Sequence, residues 1–326
     1  MSLDSDVIVD RRRIRRKLTF WRVVAALVAI AAIVTVGVIV TPGGRGAFTA
    51  SGSIARIQID GLIRSDNDRV EALERLEKSR AAAVIVHINS PGGTTAGSEQ
   101  LYDALVRLKA KKPVVVVVEG LAASGGYIAA IAADHIIAQQ SSLVGSIGVL
   151  FQFPNFTELL KTVGVKVEEV KSSPLKAAPN GFEPTSPEAR AALDALVKDS
   201  YAWFRDLVKA RRGMDDALLE QVADGRVFTG RQAVDLKLID QLGDEKTAIA
   251  WLVAQKNIKS DLPVRDFKLS PRFGDLTFLR TAASITLDAL GLGAIARQVE
   301  QGGVAQAVDR LGLDGMLALW SPAGAN

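Results

Sequence analysis

The sequence predicts an α/β protein built on a mostly parallel sheet, with one membrane-spanning helix ahead of it. Three observations carry that prediction. From residue 54 onward, short apolar β-branched runs alternate with amphipathic stretches, the order that builds βαβ units. One run is five consecutive valines, Val114 to Val118 behind Pro113, a composition suited to a strand buried on both faces. Residues 23–40 are 18 in a row without a charge. As a helix they span about 27 Å, near the thickness of a bilayer's hydrocarbon core.

The elements follow in order. Arg11, Arg12, Arg13, Arg15, Arg16, Lys17 and Arg22 precede the apolar stretch, and Phe20 and Trp21 stand where an interfacial aromatic belt lies. By the positive-inside rule the N-terminus is cytoplasmic and the chain beyond residue 41 lies outside the cytoplasm, at a bacterial-type cell membrane. A cleaved leader is the rival, with Ala50 and Gly52 as small residues at a cleavage site, but 22 residues before the apolar run are long for one. Pro42, Gly43, Gly44 and Gly46 make residues 41–53 a linker.

Residues 54–59 alternate as a strand does, and Val70, Leu73 and Leu76 place a helix over 68–78. A second strand at 83–88 is expected to break at Asn89-Ser90-Pro91-Gly92-Gly93. Thr94 or Thr95 then caps a helix with Leu101, Ala104, Leu105 and Leu108 on one face. The valine strand leads through Ala122-Ala123-Ser124-Gly125-Gly126 into a small-residue helix over 127–134, and short strands are expected at 135–138, 144–150 and 165–170. Ser186-Pro187 opens a long amphipathic helix to Arg212 carrying Leu193, Leu196, Val197, Tyr201, Phe204 and Leu207, and a short helix at 231–236 follows. Beyond Pro263 the pattern loosens and closes on an apolar patch at 317–320 to which no function attaches. The organisation is thus a basic N-terminus (1–22), a transmembrane helix (23–40), a linker (41–53), a body (54–262) and an extension (263–326).

Composition removes several function classes. With no cysteine among 326 residues there is no disulfide framework, thiolate metal site or cysteine nucleophile. Two histidines, His87 and His135, without metal-ligand spacing argue against a histidine-rich metal centre, and no cofactor is expected. The net charge of +4 resides entirely in residues 1–40, and the rest is balanced. A nucleic-acid-binding body needs a basic face, and the balanced remainder has no basic run.

Two glycine loops each follow a buried strand and precede a helix, so both can aim backbone N–H groups into one crevice at the carboxyl ends of the strands. Neither matches a nucleotide-binding motif. Ser124, flanked by Ala123 and Gly125, has the placement of a nucleophile at a strand-to-helix turn. The N–H groups of Gly125 and Gly93 are candidates for an oxyanion hole; the bland reading is that both loops are merely tight turns. Both histidines read as structural, which disfavours a Ser-His-Asp triad and leaves a lysine as base. Lys161, Lys166, Lys171 and Lys176 are the downstream candidates, and spacing does not choose among them.

The segments Asn89-Ser90-Pro91-Gly92-Gly93, Ala122-Ala123-Ser124-Gly125-Gly126-Tyr127, Gly145-Ser146-Ile147-Gly148-Val149 and Gly225-Arg226-Val227-Phe228-Thr229-Gly230 occur in that order. Together, over about residues 54–255, they resemble the signal peptide peptidase A family of membrane-anchored serine peptidases, of the ClpP/crotonase superfamily. The resemblance implies a ClpP/crotonase-like core of repeated β-β-α and βαβ units. It implies Ser124 as nucleophile, Lys176 ahead of Phe182-Glu183-Pro184 as general base, Gly93 as an oxyanion donor and Ser146 as a hydrogen-bond partner of the lysine. It also implies hydrophobic peptide substrates such as signal-peptide remnants, and a ring- or dome-shaped homo-oligomer, with the 187–212 helix as an interface element. Two departures stand out: Ser172-Ser173-Pro174-Leu175 replaces a glycine and an aromatic residue, and Lys237 replaces a glycine. The rival functions are a catalytically degenerate membrane scaffold and a crotonase-type acyl-CoA enzyme. The latter needs paired carboxylates at the second loop, where only Glu119 stands.

Overall fold

The computed structural model describes residues 52–269 and the backbone of 317–319. The expected transmembrane helix at 23–40, with the basic stretch and linker around it, lies outside the described residues. Among the described residues no helix is long and apolar enough to cross a membrane.

Three parallel strands form the centre of the sheet: β1 (Ile54–Ile63), β2 (Ala83–Thr94) and β3 (Val114–Ala123). The valine run shows why they lie inside. Val114, Val116 and Val118 point to one face, into the larger core with Ile57, Leu73, Leu105 and Tyr127; Val115 and Val117 point to the other, against Ile54, Ile85, Ala248 and Leu252. Burying one such side chain contributes about 1.5–3 kcal/mol, so a polar residue at either parity would be costly. The sheet extends through β4 (His135–Ala138), β5 (Leu143–Gly145), β6 (Val227–Thr229), β7 (Gln241–Leu242) and β8 (Val264–Asp266). A short strand β9 (Leu317–Leu319) joins β2. Pairing is parallel except β5 with β6 and β2 with β9, so the α/β, mostly parallel prediction holds.

The helices are α1 (Asn67–Glu77), α2 (Thr95–Lys109), α3 (Gly125–Ala130), α4 (Thr157–Thr162), α5 (Pro187–Arg212), α6 (Asp216–Val222), α7 (Gly230–Asp235) and α8 (Glu245–Lys256). Asp66, Thr94 and Ser186 cap α1, α2 and α5 by accepting from the N–H three residues on. His87 ties α8 to the sheet: its ring nitrogens lie 2.7 Å from Glu119 Oε1 and 2.7 Å from Glu245 Oε2. Arg56 Nε lies 2.5 Å from Asp266 on β8. His135 stacks on Trp251 with ring centroids 4.6 Å apart. Both histidines therefore serve packing.

Several elements depart from expectation. β2 does not break at Asn89 but continues through the glycines to Thr94, because Leu62 and Ile63 of β1 keep pairing with Gly92 and Gly93. The strand expected at 144–150 is only Leu143–Gly145, ended by the positive φ of Gly145 and Ser146. Residues 165–170 form no strand; Val165, Val167 and Val170 are exposed, with no sheet edge to receive them. α5 packs through Phe204 and Val208 in its second half, whereas Leu196 is exposed. Lys237 takes a left-handed φ of 57° just past the end of α7, the conformation that favours glycine.

Candidate active site

Parallel strands that end at one edge bring their following loops together. The register pairs Ser90 with Ala122 across β2 and β3, and Ala123 with Gly145 across β3 and β5. The residues that come next, Gly92-Gly93, Ser124 and Ser146, therefore share one edge of the sheet.

Ser124 joins β3 to α3 with φ 53° and ψ −115°, a backbone conformation ordinarily left to glycine. Holding a side chain there costs on the order of 1–3 kcal/mol and persists only where the surroundings over-determine it. Here they do. Ser124 N donates to Gly145 O at 2.8 Å, and its carbonyl accepts from Tyr127 N at 2.9 Å and Ile128 N at 3.0 Å. Tyr127 is itself fully buried and donates its hydroxyl to Leu238 O at 2.7 Å; burial pushes its phenol well above the usual range. The Ser124 hydroxyl donates to Gly148 O at a long 3.4 Å, and the residue is 1% exposed. Gly125 opens α3, where first-turn N–H groups lack intrahelical acceptors.

The loop at the end of β2 is built around Ser90, a residue the sequence reading named only as part of a motif. Fully buried, its Oγ donates to Gly61 O at 2.6 Å and accepts from Gly92 N at 3.1 Å. The two glycine loops touch, since a Cβ on Gly126 would lie 2.6 Å from Ser90 O. At Gly93 a Cβ would lie 1.8 Å from Ile63 O, an overlap that only backbone movement relieves. Gly93→Ala is therefore expected to lower the melting temperature by several degrees and to cut any activity at least about a hundredfold. Thermal unfolding with initial rates checks it; wild-type values in both would show that this loop is not what positions the chemistry.

Ser146 lies beside Ser124 with φ 52°, 7% exposed, its N–H donating to Arg226 O at 2.8 Å. Lys176 is placed differently. It is exposed, in the turn that follows Ser173, and makes no hydrogen bond to Ser124 within the described chain. Ser124, Gly93, Gly125 and Ser146 thus share one edge, whereas Lys176 lies on the segment 151–186, exposed and without a hydrogen bond to Ser124 among the described residues. Of the other lysines, Lys171 lies 2.6 Å from both Glu169 and Glu183. The hydrogen bond to Glu169, then that to Glu183, raises its ammonium above the usual range. Lys161 pairs with Glu158 at 2.8 Å. Among the described residues no group of three or more acidic or histidine side chains is arranged to hold a metal ion.

Of the solved structures, a membrane-bound stomatin-specific protease superposes with a TM-score of 0.43 at 16% identity, over 68% of this chain and 99% of that one. Residues 57–142 match the Clp protease family and residues 106–259 match peptidase family S49. The chloroplastic serine protease SPPA of Arabidopsis thaliana is 32% identical over 229 residues, 68% of this chain and 34% of that protein. Protease 4 of Haemophilus influenzae is 30% identical over 217 residues, 65% of this chain and 35% of its own. The chain thus spans about a third of the length of those two relatives. A Synechocystis protein named as a protease is 37% identical over 210 residues, 64% of this chain and 76% of that one. With a relative of that identity matched over three quarters of its length, this chain belongs to peptidase family S49, the signal peptide peptidase A family, with a ClpP-like α/β fold.

Proposed function

We propose that the protein is a serine endopeptidase in which Ser124 is the nucleophile and Lys176 the general base, acting on hydrophobic peptides such as signal-peptide remnants at a membrane surface. The observation that carries this reading is Ser124 itself, held in a strained conformation at the edge that also presents Gly93. In the proposed reaction the neutral amine of Lys176, oriented by Ser146, takes the Ser124 proton as Oγ attacks the scissile carbonyl. The N–H groups of Gly93 and Gly125 stabilise the oxyanion. The amine passes the proton to the leaving nitrogen, and water then hydrolyses the acyl-enzyme.

Residues 23–40 supply the anchor in this reading, and the linker holds the site close to the bilayer. A homo-oligomer is part of the proposal. Phe156, Leu159, Val163, Val165, Val167, Val170, Leu175, Phe182 and Leu196 are all exposed, and an apolar surface drawn from one stretch of chain suits contact with a second copy. The exposure of Lys176 favours a second reading, a non-catalytic scaffold of the same fold.

The test is hydrolysis of a fluorogenic hydrophobic peptide by the full chain in detergent across about pH 6–10. A lysine is a base only as the free amine, so kcat/KM is expected to rise from neutral to alkaline pH. A rate that falls steadily over that range would exclude a lysine base, and no cleavage at any pH by a folded protein would favour the scaffold.

A further inference from the structure

The Gly92-Gly93 loop is held by a hydroxyl that the proposed reaction does not use. β1 and β2 run in step as far as Asp60 with Asn89 and resume at Leu62 with Gly92. Between those points β1 passes Gly61 alone while β2 passes Ser90 and Pro91, so the ladder is interrupted just ahead of the candidate oxyanion donor. Proline brings no N–H to repair the gap, and Gly61 and Gly92 take positive φ values of 68° and 104°. Ser90 fills it. Its Oγ donates to Gly61 O at 2.6 Å and accepts from Gly92 N at 3.1 Å, so one side chain bridges the two strands where their backbones fall out of step.

Ser90 also touches the other half of the site. It pairs with Ala122, two residues ahead of Ser124. Its carbonyl lies 2.6 Å from where a Cβ on Gly126 would stand, which sets it against the first turn of α3. The residue is fully buried, and its single proton is committed to Gly61 O, which leaves it no part in proton transfer. A hydroxyl so placed fixes the plane of the Pro91–Gly92 peptide by holding its N–H. The next N–H along the chain is that of Gly93.

Resting on the peptidase reading above, we propose that Ser90 is a positioning residue, whose two hydrogen bonds aim the Gly93 N–H at the carbonyl oxygen of the bond that Ser124 attacks. Its effect falls on the transition state, because the developing oxyanion draws on that N–H more strongly than the ground-state carbonyl does. A donor displaced by about 1 Å costs on the order of a hundredfold in rate. Loss of the hydroxyl therefore lowers kcat and leaves KM nearly unaltered.

The experiment compares the full chain with Ser90→Ala, with Ser90→Cys, whose thiol keeps the volume but hydrogen-bonds weakly, and with Ser98→Ala. Ser98 is the control: it is equally buried and donates to Thr94 O at 2.9 Å from within α2, outside the gap. For the fluorogenic peptide, kcat is expected to fall about a hundredfold in Ser90→Ala and at least about tenfold in Ser90→Cys, with KM within about twofold. In Ser98→Ala kcat should stay within about threefold of wild type. A peptide aldehyde takes Ser124 Oγ at its carbonyl carbon, the serine proton ending on the hemiacetal oxygen, and its affinity should fall in parallel with kcat. Hydrogen–deuterium exchange over residues 88–96 needs no catalysis, and there the Gly92 amide is expected to exchange at least about tenfold faster in Ser90→Ala than in wild type or Ser98→Ala. If no form cleaves the peptide or takes the aldehyde, the peptidase reading fails, and exchange alone decides whether Ser90 holds the loop. Wild-type kcat in both Ser90 variants, an equal fall in Ser98→Ala, or unchanged exchange at Gly92 would overturn the proposal.

Discussion

Ser124→Ala is expected to lower kcat/KM for a hydrophobic peptide by at least about three orders of magnitude, while melting temperature and oligomeric state stay as in the wild type. The magnitude follows from removing the nucleophile of a unit whose members act together, which leaves only what the oxyanion donors and peptide binding supply. Stability should hardly change, because the hydroxyl's hydrogen bond to Gly148 O is long, at 3.4 Å. Ser124→Gly makes the prediction sharper. At φ 53° and ψ −115° glycine carries no steric penalty. The relief of on the order of 1–3 kcal/mol exceeds the roughly 0.5–1 kcal/mol that glycine's extra freedom in the unfolded chain takes back. The glycine form should therefore be as inactive as the alanine form and melt higher than either it or the wild type. Full activity in Ser124→Ala would remove Ser124 from the mechanism; a lower melting temperature for the glycine form would mean that the turn is not under strain.

Lys176→Met is expected to cost at least about a thousandfold in kcat with KM little altered, whereas Lys171→Met leaves kcat within a few-fold of wild type. The contrast rests on the surroundings of the two amines. Lys171 is bridged by Glu169 and Glu183, and its hydrogen bonds to them hold the ammonium above its ordinary range. A group raised in the folded state keeps its ion pair below the unfolded value and loses it only as pH climbs through the raised one. Across neutral and mildly alkaline pH Lys171 is therefore charged and has no lone pair to accept a proton. Lys176 lies five residues on, outside that pair of carboxylates, and is exposed. If Lys171→Met proved the damaging change and Lys176→Met were benign, the base would have been placed in the wrong turn of this loop.

Much of the molecule was legible before any coordinates. The valine run has one reading in an α/β protein, and it lies buried on both faces. The capping residues Thr94 and Ser186 mark helix starts because their side-chain oxygens satisfy an N–H three residues on. Asn89-Ser90-Pro91-Gly92-Gly93 misled, since proline and glycine ordinarily end strands. Only β1, running on alongside, carries β2 through them to Thr94. Residues 165–170 misled in the opposite sense, because alternating valines make a strand only where a partner edge exists.

By itself the sequence determined what local chemistry can determine: the α/β alternation, the caps, the motif serines and glycines, and the absence of any thiol. The tertiary structure decided what depends on register between distant segments. It set Ser90 against Ala122 and Ala123 against Gly145, so that Ser124, Gly93 and Ser146 share an edge, and it bent Ser124 into a conformation that no residue type announces. It also brought Leu317–Leu319 beside Gly92–Thr94. The reason is physical: propensity and capping act over a few residues, whereas strand pairing joins backbones hundreds of positions apart and leaves no periodic mark in either partner.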